Sequence, residues 1–127
     1  MAASGKKILV VDDVAVSLSA AEKALSEEYE VVTVNSGTRA LRYFESDRAD
    51  LILMDIRMDG KDGIETLREL RQMSNGKDVP VIMLTSSQDK KSVIESSKLG
   101  VYDYILKPFE PRELRKRIKN ALDAANS

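Results

Sequence analysis

Cysteine and histidine are both absent from this sequence of 127 residues, and each absence excludes a class of chemistry. Without cysteine there are no disulfides and no thiolate sites, so the simplest expectation is a cytoplasmic protein. Without histidine the chain has no Ser-His-Asp or Cys-His machinery, no imidazole zinc ligand and no imidazole proton shuttle. Any chemistry must therefore use carboxylates, hydroxyls, lysines and a hard metal ion. A phosphohistidine, if one is involved, must belong to another protein.

Long hydrophobic runs, excess charge and nucleotide-binding motifs are also missing. No apolar run approaches the length of a membrane span, so we expect no membrane partner. The net charge of -1 gives no general reason to expect a polyanionic partner. Neither G-x-G-x-x-G nor G-x-x-x-x-G-K-[ST] is present, which argues against a nucleotide-binding enzyme. The length favours one domain.

Five short hydrophobic segments recur along the chain and predict strands. Residues 8–11, 51–54 and 79–84 form nearly continuous hydrophobic runs, which are typical of strands buried on both faces of a parallel sheet. Residues 31–34 and 102–106 are more mixed, so we expect them at the sheet edges.

Helical patterns follow these segments, with Asn35 or Ser36 as a candidate cap of the second helix and Pro111 in the first turn of the fifth. The alternation predicts an α/β fold, a doubly wound (βα)5 sandwich with a parallel sheet, right-handed crossovers and helices on both faces. The apolar residues at helical spacing are Val14, Leu18, Ala21 and Leu25; Ala40, Leu41 and Phe44; Ile64, Leu67 and Leu70; Val93, Ile94 and Leu99; and Leu114, Ile118, Ala121 and Ala125.

Polar residues stand at the ends of four of the predicted strands. Asp12 and Asp13 end the first, Asp55 the third and Thr85 the fourth, and Lys107 follows the fifth. The carboxyl ends of parallel strands meet at one edge, where α/β proteins bind ligands, so these side chains should lie together. Two unit charges about 4 Å apart interact by roughly 4 kcal/mol at an effective dielectric near 20. Such a group of acids takes up protons or recruits a cation.

This set of side chains indicates phosphoryl chemistry. Carboxylate oxygens suit Mg²⁺ or Mn²⁺, and the Lys107 ammonium and Thr85 hydroxyl can stabilise oxygens of a transferring phosphoryl group. With a carboxylate at the centre, the available reaction is capture of that group as an aspartyl phosphate. Taken singly, Asp12 and Asp13 are also ordinary helix caps, and Asp55 an ordinary turn residue. Those separate explanations do not predict that all of these residues fall at strand ends on the same edge of the sheet.

The motifs ILVVDD, LILMDIRM, DGIETLRELR, VIMLTSS and DYILKPF occur in this order and resemble the receiver domains of two-component response regulators. The sequence is similar to the single-domain chemotaxis regulator of that family. The resemblance implies a flavodoxin-like fold with a five-stranded parallel sheet in the order 2-1-3-4-5. It also implies a single receiver domain over residues 1–127, with a core at about residues 6–125 and no output domain in the chain.

The resemblance further implies roles for individual residues. Asp55 resembles the phosphoacceptor, Lys107 the lysine that pairs with the phosphoryl group, and Thr85 the switch hydroxyl. Tyr104 matches the aromatic whose rotamer follows the state of Thr85. The Lys107-Pro108 bond is expected to be cis, which proline makes inexpensive.

The implied metal ligands lie around the acceptor. Asp13 resembles a direct Mg²⁺ ligand and Asp12 one that acts mostly through water, with Asp55 itself and the backbone carbonyl of Arg57 completing the protein's set. The Arg57 guanidinium could screen the phosphoryl group from water or contact it. Ser87 is the other residue expected to tune its lifetime.

One departure from the family pattern stands in the loop after the acceptor. Met58 is followed by Asp59, where the family commonly has proline. The expected consequence is a more mobile loop with extra negative charge.

The implied function is a phosphorylation-activated signalling switch. A partner histidine kinase or histidine phosphotransfer protein supplies the phosphoryl group, and the face formed by the fourth helix, fifth strand and fifth helix changes its affinity for an unknown downstream protein. The protein catalyses only its own phosphotransfer and autodephosphorylation, so it is not expected to be an enzyme for a separate substrate. It is expected to be a monomer or a phosphorylation-dependent dimer.

Two alternatives and one charged patch remain to be weighed. A degenerate receiver would bind proteins without phosphorylation, although the complete set of acids, Thr85 and Lys107 argues against it. A phosphohydrolase of the haloacid dehalogenase type needs an Asp-x-Asp pair, which VDDVAV does not supply. Basic residues in the last helix favour a solvated helix face over direct nucleic-acid binding. They are Arg112, Arg115, Lys116, Arg117 and Lys119.

Overall fold

The computed structural model describes residues 4–126, in which five strands alternate with five helices. The strands are β1 (Lys7–Val11), β2 (Glu30–Val34), β3 (Leu51–Asp55), β4 (Val81–Thr85) and β5 (Asp103–Leu106). The helices are α1 (Ala15–Leu25), α2 (Gly37–Ser46), α3 (Gly63–Leu70), α4 (Lys90–Ser97) and α5 (Pro111–Ala125).

All five strands pair in parallel, in the order β2-β1-β3-β4-β5, which confirms the predicted fold class and strand order. The two strands predicted at the edges, β2 and β5, are the edge strands, and each contains exposed residues. In contrast, β3 and β4 are buried along their whole length. The continuity of a hydrophobic run therefore distinguished central strands from edge strands.

The sheet separates two hydrophobic cores because successive side chains of a strand point to opposite faces. Ile8 and Val10 of β1 lie in one core with α1 and α5, whereas Leu9 and Val11 lie in the other with α2 and α3. Val93 of α4 packs against the second core. Both faces of the sheet are covered, as the hydrophobic runs predicted.

Three helix starts are determined by local chemistry. The Ser36 hydroxyl accepts a hydrogen bond from the Arg39 N–H at 3.1 Å, so Ser36 rather than Asn35 caps α2. Pro111 occupies the first turn of α5, as predicted. A capping box begins α3, in which the Asp62 carboxylate accepts from the Glu65 N–H at 2.8 Å.

The predicted hydrophobic stripes were wrong at four positions. Val14 is the N-cap of α1 and 47% exposed, because the helix begins after it. In α4, Ile94 is 65% exposed, and Leu99 lies beyond the helix end at Ser97. Ala125 is exposed in the last turn of α5. Val14, Leu99 and Ala125 stand at or beyond helix ends, so the predicted stripes extended past the helices, although Leu99 still packs against the second core.

Strand ends also differ slightly from the sequence boundaries. β4 begins at Val81 instead of residue 79, and β5 begins at Asp103 instead of residue 102. The Val79 carbonyl accepts from the Arg71 guanidinium at 2.7 Å, which fixes this segment as a loop. Among residues 4–126, no helix has the length and hydrophobicity to cross a bilayer.

Gly63 at the start of α3 makes the close approach that fixes the position of the end of β3. Its N–H donates to the Ile56 carbonyl at 2.8 Å. A Cβ at Gly63 would overlap the backbone carbonyl oxygen of Asp55 and lie 2.9 Å from the Ile56 Cα. Only glycine fits here without a shift of the backbone that carries Asp55.

We therefore expect Gly63→Ala to lower the free energy of unfolding by about 1–3 kcal/mol, because overpacking against backbone has costs of this order. Urea titration followed by circular dichroism measures the loss. Gly60→Asn is the control, since Gly60 (φ 73°) lies in open space and asparagine tolerates that conformation. Equal losses in the two variants would contradict the packing argument.

Candidate functional site

Three carboxylates meet at the carboxyl edge of the sheet. Asp12 follows β1, Asp55 ends β3, and Asp13 begins the connection to α1. One oxygen from each lies within 4.8 Å of the others, a spacing at which a single ion can contact all three. Asp12 is fully buried and Asp55 nearly so, while Asp13 is exposed. The sheet thus brings together the three acids that the strand ends placed on one edge.

Lys107 supplies the positive charge that faces these acids. Its Nζ lies 2.9 Å from Asp12 Oδ2 and 3.1 Å from Asp55 Oδ2. Its backbone N–H donates to the Thr85 carbonyl at 2.8 Å, which ties the segment after β5 to β4. The Lys107-Pro108 peptide bond is cis, as the resemblance implied.

Burial and charge change the pKa of both partners in this contact. Burial, together with the nearby charge of Asp12, raises the pKa of the Asp55 carboxyl to about 6, although Lys107 acts in the opposite direction. Burial lowers the pKa of Lys107, but hydrogen bonds and charge from Asp12 and Asp55 outweigh it, so the net shift is upward. Ionised Asp55 is therefore a destabilised, basic carboxylate in need of further positive charge.

The loops hold Asp12 and Asp13 in place. Asp12 Oδ1 accepts from the Val14 N–H at 3.0 Å, so one of its oxygens serves the start of α1 while the other faces Lys107. Asp13 Oδ2 accepts from the Asp59 N–H at 2.8 Å. A proline at position 59 would have no N–H to donate. Asp59 thus links the loop after β3 to Asp13 by a hydrogen bond that a proline could not make.

The two predicted switch residues both bond toward α4. The Thr85 hydroxyl lies 3.1 Å from the Ser86 carbonyl and 3.2 Å from Asp89 Oδ2. The Tyr104 hydroxyl lies 2.8 Å from the Ser96 hydroxyl and donates to the Val93 carbonyl at 3.1 Å. Within the described part of the chain, neither hydroxyl has a hydrogen bond to Asp55.

The two residues expected to tune the phosphoryl lifetime flank an open cleft of roughly 700 Å³ beside the acids. Arg57 and Ser87 both line it, together with Asp13 and Asp89. The Arg57 guanidinium is occupied, because its Nε lies 2.6 Å from Asp89 Oδ1. Ser87 is exposed.

Sequence reasoning missed Asp89. It is 4% exposed, and the hydrogen bonds that it accepts lower the pKa of its carboxyl although burial acts to raise it. An aspartate just before a helix is usually a cap, and nothing in the sequence relates it to Arg57, 32 positions earlier. Only the folded chain reveals the contact.

Comparison with known proteins agrees with this geometry. Residues 8–119 match the family model described as the response regulator receiver domain. This chain belongs to that family. The receiver domain is the part of two-component response regulators that acts as a phosphorylation-dependent switch.

Individual relatives extend the comparison. The chain is 42% identical over 118 residues to a probable transcriptional regulator, ycf27, of Cyanophora paradoxa, covering 92% of this chain and 48% of the relative. It is 37% identical over 118 residues to the alkaline phosphatase synthesis transcriptional regulatory protein PhoP of Bacillus subtilis, with the same coverage. The chain thus spans about half the length of the curated relatives it matches.

Solved receiver domains are similar over nearly the whole chain. A CheY-like receiver domain protein of Methanospirillum hungatei has a TM-score of 0.90 at 31% identity, covering 97% of this chain and 98% of that one. The receiver domain of a Pseudomonas aeruginosa sensor histidine kinase has a TM-score of 0.86 at 35% identity, covering 94% and 98%. The latter contains a magnesium ion in its active-site cleft. The acidic group of this receiver domain fits metal binding in the same way.

The raised pKa of Asp55 predicts a specific pH dependence of stability in metal-free buffer. An unfolded aspartyl carboxyl ionises near its ordinary pKa of 3.8, whereas the folded one ionises near 6. The destabilisation is therefore absent below about pH 4, grows as the pH rises and is complete above about pH 6. Asp55→Asn should remove it and gain about 1–3 kcal/mol at pH 7.5.

Urea unfolding of both proteins in EDTA at pH 4.0 and 7.5 measures this difference. We expect the advantage of Asp55→Asn at pH 7.5 to shrink toward zero at pH 4.0. Asp123→Asn is the control, because Asp123 lies exposed on α5 in a surface pair with Lys119. An advantage that is equal at both pH values would show that ionisation of Asp55 is not its cause.

Proposed function

We propose that Asp55 accepts a phosphoryl group from a phosphohistidine of a partner histidine kinase or histidine phosphotransfer protein. The observation that carries this proposal is the position of its carboxylate, between two further acids and the Lys107 ammonium at the open edge of the sheet. This is the arrangement that a carboxylate nucleophile needs, because the incoming group is anionic and must be met by positive charge.

The reaction exchanges one bond to phosphorus for another. An oxygen of Asp55 forms the O–P bond while the P–N bond of the donor breaks, and the imidazole nitrogen keeps the electron pair. Lys107 already contacts Asp55 and is placed to pair with a phosphoryl oxygen. The chain would catalyse only this transfer and the later hydrolysis of its own aspartyl phosphate.

The donor set fits a hard divalent cation, which we propose to be Mg²⁺, with Mn²⁺ as a substitute. Asp13 and Asp55 would be direct ligands and Asp12 would act mostly through water, while Arg57 would contribute its backbone carbonyl. All of these donors are oxygens, as Mg²⁺ prefers. When bound, the ion supplies positive charge against the three acids and the phosphoryl oxygens.

We further propose that Thr85 and Tyr104 carry the change to the surface formed by α4, β5 and α5. On phosphorylation the Thr85 hydroxyl would donate to a phosphoryl oxygen, and Tyr104 would leave its contacts with α4. Large hydrophobic side chains are exposed on this surface, which suits a protein partner. They are Ile94, Tyr102 and Leu106.

The wider setting is part of the same proposal. It comprises one receiver domain over residues 1–127 with a core at about 6–125, a cytoplasmic location, and a monomer or phosphorylation-dependent dimer. Because the curated relatives are about twice as long, their transcriptional output is not carried over to this chain. The basic residues of α5 are partly paired, since Arg117 contacts Asp103 and Glu113, which favours a solvated face over a nucleic-acid site.

Phosphoryl uptake tests the function directly. With acetyl phosphate and Mg²⁺, the wild-type protein should gain the mass of one phosphoryl group in intact-mass spectrometry. Asp55→Asn should gain none, and EDTA should prevent the gain in the wild type. Equal uptake by Asp55→Asn would show that Asp55 is not the acceptor. No uptake by the wild type would favour the degenerate receiver instead.

Loss of one acid should weaken metal binding. Asp13→Asn removes a negative charge from a solvent-facing ligand, so we expect the Kd for Mg²⁺ to rise by about tenfold or more, since ligand charge tunes such affinities. The shift of tyrosine fluorescence or amide resonances during a Mg²⁺ titration measures it. Asp123→Asn, remote on α5, should bind as the wild type does. An unchanged Kd in Asp13→Asn would remove Asp13 from the ligand set.

A further inference from the structure

A third buried carboxylate, Asp89, lies beside the candidate site but outside its acidic group. Its side chain is 3% exposed. Asp89 Oδ2 accepts from the Ser86 N–H at 2.8 Å, from the Ser86 hydroxyl at 3.0 Å and from the Thr85 hydroxyl at 3.2 Å. Asp89 Oδ1 faces the Arg57 Nε at 2.6 Å. One carboxylate thus joins the loop after β3 to the end of β4 and the start of α4.

Helix capping does not explain this carboxylate. Asp89 is the N-cap residue of α4, and a capping side chain accepts from amides of the first turn. Among the described residues, none of the α4 amides donates to the Asp89 side chain. Both oxygens are directed back toward the loop and the strand end, so the side chain acts on Thr85 and Ser86.

Arg57 makes the buried charge tolerable. A carboxylate removed from water needs a compensating cation or several hydrogen bonds, and here it has both. The Arg57 side chain is 63% exposed, and it begins two residues after Asp55. Its guanidinium contacts the buried Asp89, and the residue lines the same cleft as Asp13 of the acidic group.

The Thr85 hydroxyl has a single hydrogen to donate. Its two acceptors, the Ser86 carbonyl and Asp89 Oδ2, both lie on the side of α4. While that hydrogen is used there, it is not available to an oxygen bound to Asp55. The carboxylate is the stronger acceptor of the two because it is charged.

We propose that Asp89, held by Arg57, is a positioning residue that keeps the Thr85 hydroxyl away from Asp55 until phosphorylation. This inference rests on the proposed function. A phosphoryl group on Asp55 adds negative charge near Arg57 and competes for its guanidinium. As Arg57 turns to the phosphoryl group, Asp89 loses its counter-charge, and Thr85 is released to donate to a phosphoryl oxygen. The pairing thereby sets the balance between two pre-existing states of the domain.

A double-mutant cycle on Asp89 and Thr85 tests this positioning. The rate of phosphorylation by acetyl phosphate in saturating Mg²⁺ is measured by intact mass for four proteins: wild type, Asp89→Asn, Thr85→Val and the double variant. Asparagine has nearly the same shape as aspartate, but it has one acceptor oxygen and cannot accept hydrogen bonds from Arg57 and Ser86 on two oxygens. We expect it to phosphorylate about tenfold faster than the wild type, because Thr85 is freed in advance. In the Thr85→Val background the same substitution should change the rate less than twofold.

The cycle separates positioning from general loosening of the fold. A merely structural role for Asp89 would give the same change in rate with and without the Thr85 hydroxyl, and that result overturns the inference. An unchanged rate in Asp89→Asn also overturns it. Arg57→Gln provides a second variant, which leaves Asp89 in place and should again accelerate phosphorylation only when Thr85 is present. Its backbone carbonyl remains available to a metal.

The outcomes distinguish the positioning role of Asp89 from the proposed phosphorylation of Asp55. If the wild type takes up phosphoryl on Asp55 but the cycle is additive, the receiver function stands and the positioning role falls. If the wild type takes up none, both fall together. A spectroscopic measurement adds an independent check, since the Ser86 amide donates to Asp89. Its resonance should move on phosphorylation of the wild type and already be shifted in Asp89→Asn.

Discussion

The mutual repulsion of Asp12 and Asp55 governs how the other charged groups are arranged at the carboxyl edge of the sheet. Two like unit charges 4.8 Å apart repel by about 3–4 kcal/mol at an effective dielectric near 20, and by more at shorter distances. The parallel sheet forces the two acids together, because β1 and β3 are neighbours and end at the same edge. Lys107 relieves part of this repulsion, but burial first and the charge of Asp12 second still raise the pKa of the Asp55 carboxyl. An acidic group with this much uncompensated negative charge attracts a divalent cation.

The order of the strands explains why the opposing cation comes from so far along the chain. Lys107 follows β5, at the sheet edge, whereas Asp55 ends the central β3. The bond from the Lys107 N–H to the Thr85 carbonyl draws the chain after β5 across β4, so its side chain reaches both acids. The same segment thus fixes the lysine and borders the residue proposed as the switch. The backbone hydrogen bond between Lys107 and Thr85 therefore connects the residue that compensates the acids with the residue proposed as the switch.

Sequence reasoning predicted the fold well because the relevant forces are periodic and local. Continuous hydrophobic runs identified β3 and β4 as central strands, and strand ends placed Asp13, Asp55 and Thr85 at one edge. Spacing failed for Ile94, whose side chain is exposed because a helix of two turns on a sheet can bury only part of its pattern. The sequence also did not predict that the backbone N–H of Asp59 donates to Asp13. That hydrogen bond depends on the geometry of the loop and not on the type of side chain. The cap at Ser36 was among the predicted candidates because its hydroxyl and the Arg39 N–H that donates to it lie only three positions apart in the sequence.

Asp89 shows the same limit most clearly, because its partner Arg57 lies 32 positions earlier in the chain. The domain holds two buried acidic centres, each with one cation: Asp12 and Asp55 with Lys107, and Asp89 with Arg57. Arg57 stands two residues from Asp55, so the centres are linked through the same loop. Added negative charge at Asp55 strengthens the pull on both cations, but Lys107 already contacts Asp55, whereas Arg57 would have to leave Asp89 to reach it. Because Thr85 donates to Asp89, the proposed phosphorylation of Asp55 would change the hydrogen bonding at the start of α4. A change of charge at the end of β3 would thereby alter the conformation at the end of β4.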